Sequence, residues 1–153
     1  MDDEIFRDTY REVNERFCPY EKSILTNQAR CSLAERFCIA EREGVHCGSE
    51  QARQDCLALL ELLRQQSRFA LKAREVERKL PHGKAMRVQV GGLRGIHLAL
   101  NPGDPIPRVI DDIHGLLKAA KACFGGFADL PLQRVVQQVA AYQGRPRSSR
   151  RQR

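Results

Sequence analysis

The chain has no tryptophan, and aromatic residues make up only 6% of its 153 positions, so its core has to be aliphatic. No apolar run approaches the roughly 20 residues that a bilayer-spanning helix needs. The opening Met1-Asp2-Asp3-Glu4 is acidic, whereas a secretory signal opens on a basic stretch and an apolar run. The expected location is therefore cytoplasmic, where thiols stay reduced. The sequence has no nucleophile motif and no phosphate loop; Gly91-Gly92-Leu93-Arg94-Gly95 is better read as a hairpin turn between two alternating segments. No two cysteines stand two to four residues apart, the knuckle on which zinc sites are usually built.

An apolar fraction of 42% and a charged fraction of 29% are those of a globular protein. The expected fold is mainly α: one helical domain over 1–142, divided into a cysteine-cluster half (1–80) and a half of hairpin plus helices (84–142), with a disordered basic tail over 143–153. Apolar spacing predicts a first helix over 4–16, ended by Cys18-Pro19, and a short one from Tyr20 to Gln28. Ser32-Leu33-Ala34-Glu35 reads as a capping box, which predicts a helix from Leu33 to Glu43 ended by Gly44. Ser49 caps a long helix that can run to Leu80, with a break near Ser67. Strict alternation in 86–90 and 96–100 around the glycine run predicts a small β-hairpin near 86–100. Two C-terminal helices follow, Pro107–Ala122 and Pro131–Tyr142.

Charge is unevenly placed. Residues 1–61 carry 8 basic and 13 acidic side chains, a balance of −5, whereas 62–101 carry 9 and 2, a balance of +7. The last eleven residues hold five arginines and no acid. Arg64, Arg68 and Lys72 form a helical stripe, and Arg74 and Arg78 a second, so nucleic acid is a possible partner through the basic face and tail. A solvated face explains the same residues, and the acidic N-terminal part opposes a long duplex.

Five of the six cysteines fall within residues 18–56. Cys18, Cys31, Cys38, Cys47 and Cys56 are separated by 12, 6, 8 and 8 residues. Cys31 and Cys47 precede helix caps, and helix N-termini stabilise thiolates through unpaired N–H groups and partial positive charge. Ligands scattered over loops and helix starts suit an iron–sulfur cluster inside a helical domain, such as 4Fe-4S, better than zinc. The expected ligands are Cys18, Cys31, Cys38 and Cys47, with Cys56 as the substitute; His46 is a further candidate in a three-cysteine site. Ordinary core cysteine is the competing reading for Cys38 and Cys56, and paired cysteines in a helical hairpin the competing reading for Cys38, Cys47 and Cys56. Cys123 stands alone. Glu35, Glu41 and Glu43 read as capping and solvated residues, and no catalytic residue is assigned.

These features point to a redox, sensing or assembly accessory subunit whose partner is another protein. The alternatives are a nucleic-acid binder with structural zinc and a metal-free interaction module. One test follows from charge alone. The tail over 143–153 holds five of the seven net positive charges. If it gripped phosphates, deleting it would flatten the slope of log affinity against log salt by about 0.9 for each duplex phosphate it had neutralised. The expected outcome is weak binding of intact protein to RNA or DNA at about 0.15 M salt; tight binding there, abolished by truncation, would favour the nucleic-acid reading.

Overall fold

A computed structural model describes residues 16–72 and 81–143. The expected first helix over 4–16, except its last residue, lies outside the described residues, as do the stretch 73–80 with Arg74 and Arg78 and the tail from 144. The fold is mainly α with one small hairpin. In chain order it comprises α1 (Glu21–Leu25), β1 (Ala34–Ile39), β2 (Arg42–Cys47), α2 (Glu50–Gln66), α3 (Arg68–Leu71) and α4 (His82–Met86). A π-helical turn, Arg87–Gly91, then leads into α5 (Gly92–Leu100), followed by α6 (Ile113–Phe124) and α7 (Leu132–Ala141).

The hairpin lies at 34–47, not at 86–100. Ser32, read as a helix cap, turns elsewhere: its N–H donates to Asp112 Oδ1 at 2.9 Å. Ala34 then pairs with Cys47, and Ile39 with Arg42. The two-residue turn puts Ala40 at φ 46° and Glu41 at φ 71°, as the favoured hairpin turns require. Neither residue is a usual occupant of that region, so nothing local announces the turn. Val45, fully buried, anchors β2 in the core.

Residues 82–100 are instead one continuous helical run through the π turn. Val88, Gln89, Val90, Gly91, Gly92 and Leu93 are all buried. A helix enclosed on every side loses its polar stripe, and a short apolar run then carries no distinguishing period. The glycines serve close approach rather than a turn. A Cβ on Gly91 would stand 2.7 Å from Val139 Cα, and one on Gly95 2.7 Å from Val135 Cα, so this run meets α7 backbone to backbone. Ser23 Oγ donates to Gln89 Oε1 at 2.7 Å, pairing the buried amide of the π turn with α1.

α2 follows its expected signals. The Ser49 side chain accepts from Ala52 N–H at 3.3 Å, and Ala52, Cys56, Leu59 and Leu63 form its buried stripe. The break falls at Ser67, as predicted, and α3 ends at Lys72 with φ 54°. That break interrupts the stripe of Arg64, Arg68 and Lys72. α6 starts at Ile113, six residues after the predicted Pro107, because Ile110 pairs with the loop after α1. α7 matches its prediction within a residue at each end. Among the described residues no helix is long and apolar enough to cross a membrane.

The close packing of α5 predicts opposite effects at two glycines. Gly95→Ala should destabilise by about 1–3 kcal/mol, the usual cost of overpacking. Gly83→Ala, where an added Cβ meets nothing within 4 Å, should stabilise by about 0.5 kcal/mol through lower unfolded-state entropy. Urea unfolding of the two variants measures both.

Candidate metal centre

Four cysteines reach one region from four separate segments. The segment around Phe17 runs antiparallel to β2, with Phe17 opposite His46. Cys18 N–H donates to the Val45 carbonyl at 2.8 Å, and Cys47 N–H to the Arg16 carbonyl at 2.7 Å. Side chains alternate along strands, so Cys18, Val45 and Cys47 share the inner face while His46 lies on the other. His46 is therefore turned away from the thiols.

Cys31 is placed by the loop after α1. Arg30 N–H donates to the Ile110 carbonyl at 2.8 Å, Ile113 N–H to the Arg30 carbonyl at 2.8 Å, and Gly48 N–H to the Leu33 carbonyl at 2.9 Å. These bonds hold Cys31 between the end of β2 and the first turn of α6. Cys56 arrives from the second turn of α2, on the buried stripe that the Ser49 cap starts.

The thiols also influence one another's ionisation. Charge on Cys31 and Cys47 bears on Cys18, charge on Cys47 bears on Cys31, and charge on all three bears on Cys56. Burial is the main cause of the raised thiols: it pushes Cys18 up to about 12 and raises Cys56 and Cys31. Backbone N–H groups oppose it, from Tyr20 at Cys18 and from Leu33 and His114 at Cys31. Cys47 Sγ donates to the Ser49 carbonyl at 3.2 Å. Cys18, Cys47 and Cys56 are 7%, 6% and 9% exposed, and Cys31 is half-buried.

Cys38 does not join them. It is exposed on β1, paired with Glu43 near the hairpin tip. Cys47 pairs with Ala34, four residues along the strand, so the two cysteines are separated by about 13 Å of ladder. The predicted helix would have put Cys38 two turns beyond Cys31 on the same side; the strand carries it outward, and Cys56 is the fourth thiol of the group. Cys123 is exposed near the end of α6.

The four thiols do not close on one point: among the described residues no group of three or more His, Cys, Asp or Glu side chains could hold a metal ion. A single tetrahedral zinc, with Zn–S of about 2.3 Å, draws four sulfurs together.

Tyr20 completes the surroundings. Its side chain is fully buried and its hydroxyl has no hydrogen-bond partner among the described residues. Burial, together with charge on Cys56 and Cys18, raises its pKa well above the ordinary phenol value. The sequence places Tyr20 only at a helix start; its nearness to Cys18 in the chain is the one local signal.

Thiol chemistry gives a direct check on this geometry. The thiolate is the reactive form, so in metal-free protein at pH 8 iodoacetamide should modify exposed Cys38 and Cys123 first. Cys18 and Cys56 should resist, and Cys18 should gain reactivity only as the pH climbs toward 12. Peptide mapping by mass spectrometry reads the order; equal labelling of Cys18 and Cys38 would contradict the burial described. The chain matches no protein-family model, no curated protein and no solved structure, so what this site does has to follow from its own chemistry.

Proposed function

We propose that this protein is a small iron–sulfur carrier in which Cys18, Cys31, Cys47 and Cys56 ligate one 4Fe-4S cluster. The observation that carries the reading is the approach of four thiols from four segments: Cys18 and Cys47 on one short ladder, Cys31 held beside its end, and Cys56 on the buried stripe of α2. Iron–sulfur clusters take four cysteine thiolates, and ligands scattered over loops and a helix flank differ from the close cysteine pairs of a zinc knuckle. Backbone N–H groups aimed at Cys18 and Cys31 add support, since hydrogen bonds to cluster sulfurs raise its reduction potential.

Four thiolate ligands leave no iron open for substrate. That suits one-electron transfer, redox sensing or assembly of a larger complex rather than catalysis at the metal. Three of the ligands are nearly enclosed and the half-buried Cys31 gives the cluster its exposed edge, where a partner protein would exchange electrons. A reducing, cytoplasmic setting fits free thiols that must stay available to iron.

Anaerobic purification followed by iron, acid-labile sulfide and zinc analysis tests the proposal. Serine at Cys18, Cys31, Cys47 or Cys56 should each remove most of the iron and the brown absorption, while serine at Cys38 or Cys123 should leave both near wild type. Full iron occupancy in two of the first four variants would reject this ligand set, and iron depletion on replacing Cys38 but not Cys56 would return the site to the sequence-based assignment. Zinc without sulfide would replace the cluster with a structural ion.

A further inference from the structure

Arginine keeps its charge at any physiological pH, so a guanidinium drawn out of water needs an anion nearby. Two half-buried arginines of the central helical run lack one: neither Arg87 nor Arg94 pairs with a carboxylate among the described residues. Each is held by a neutral backbone oxygen instead. Arg87 Nη2 donates to the Ala140 carbonyl at 2.7 Å, and Arg94 Nη2 to the Arg108 carbonyl at 3.0 Å. The Nε of each is enclosed without a partner among the described residues. Tyr142, which ends α7, connects the two. The Arg94 guanidinium lies 5.2 Å from its ring centre, and Arg87 lines the same cavity as Tyr142. That cavity has a volume of about 820 Å³, within the range of small-molecule sites, roughly 300–1,000 Å³. The loop after α1 brings Asn27 and Gln28 to it, and the start of the helical run brings Lys84 and Met86. Among its described lining residues there is no aspartate or glutamate.

We propose that this cavity binds a nucleoside monophosphate. No cysteine lines it, and the inference stands independently of the cluster reading above. A phosphate monoester carries about 1.5 to 2 negative charges at pH 7. That matches two uncompensated guanidiniums, one lining the cavity and one against the tyrosine ring, whereas a carboxylate supplies a single charge. Lys84 adds a further cation. The bond from Nη2 to Ala140 fixes the Arg87 guanidinium beforehand, so little side-chain freedom is lost when the phosphate arrives. The Tyr142 ring suits the flat face of a base, since stacking on an aromatic side chain tolerates any base. The side-chain amides of Asn27 and Gln28 offer both donors and acceptors to its edge.

Isothermal titration of the full-length chain at about 0.15 M salt tests this. The probes are the common ribonucleoside 5′-monophosphates, their parent nucleosides and inorganic phosphate. One or more monophosphates should bind at least about tenfold more tightly than inorganic phosphate or the matching nucleoside, because each of those lacks one half of the recognition. Arg87→Gln should weaken that binding by about 10- to 100-fold, the range for a hydrogen bond to a charged group. Lys118→Gln, on α6 and outside the cavity, should leave it unchanged. If Arg87→Gln fails to fold, Lys84→Gln and Tyr142→Leu carry the same test, each weakening binding several-fold. Absence of any monophosphate binding below about 1 mM would overturn the proposal. So would binding that none of the cavity variants weakens, or inorganic phosphate that binds as tightly as the monophosphates, which would mark adventitious anion binding only. Single-stranded RNA that binds far more tightly than any monophosphate, with a steep salt dependence, would also overturn it and make the cavity part of a nucleic-acid path.

Discussion

Ile110 joins the cysteine-bearing part of the chain to its helical part. Its carbonyl accepts from Arg30 and its N–H donates to the Gln28 carbonyl, at 2.8 and 3.2 Å. Ile113 N–H then closes on the Arg30 carbonyl, and the Asp112 carboxylate takes the Ser32 N–H. The backbone groups of buried Ile110 need such partners and find them some eighty residues away in sequence. This seam sets Cys31 against the first turn of α6, where the His114 N–H reaches its sulfur. Without it the loop after α1 would have no reason to hold a thiol near the other three.

The buried thiols beside this seam resist ionisation. Burial keeps Cys18, Cys31 and Cys56 protonated, and any charge on one raises the others. In the proposed cluster, metal binding would have to release those protons. The N–H donors at Cys18 and Cys31 offset part of that cost by stabilising thiolate.

The helical half supplies rigidity behind the site. Gly91 and Gly95 let the central helical run approach α7 at backbone distance, and the Ser23–Gln89 hydrogen bond ties the π turn to α1. α1 lies between Cys18 and Cys31 in the chain, so that buried bond holds the segment carrying two of the thiols. Leu59 and Leu63 continue the stripe on which Cys56 stands. The thiols are therefore backed by packed aliphatic side chains, as the lack of tryptophan requires.

The sequence by itself determined the mainly α character, the density of cysteine near the N-terminus, the Ser49 cap, the break at Ser67 and the last helix. Each rests on interactions within a turn or two of chain, where apolar period and capping chemistry act directly. Tertiary structure decided the rest. Ser32 satisfied capping-box spacing, yet its N–H went to Asp112, and the segment it should have started became β1. Gly91 and Gly95 had the composition of a turn, yet close helix packing demands the same missing Cβ. Cys38 was the expected fourth thiol and Cys56 its substitute; the strand carries Cys38 outward and α2 carries Cys56 in. Tyr20 had only its nearness to Cys18 in the chain as a local sign. Long-range hydrogen bonds and burial settle such choices, because either local conformation costs little and only the packed chain leaves one of them with its polar groups paired.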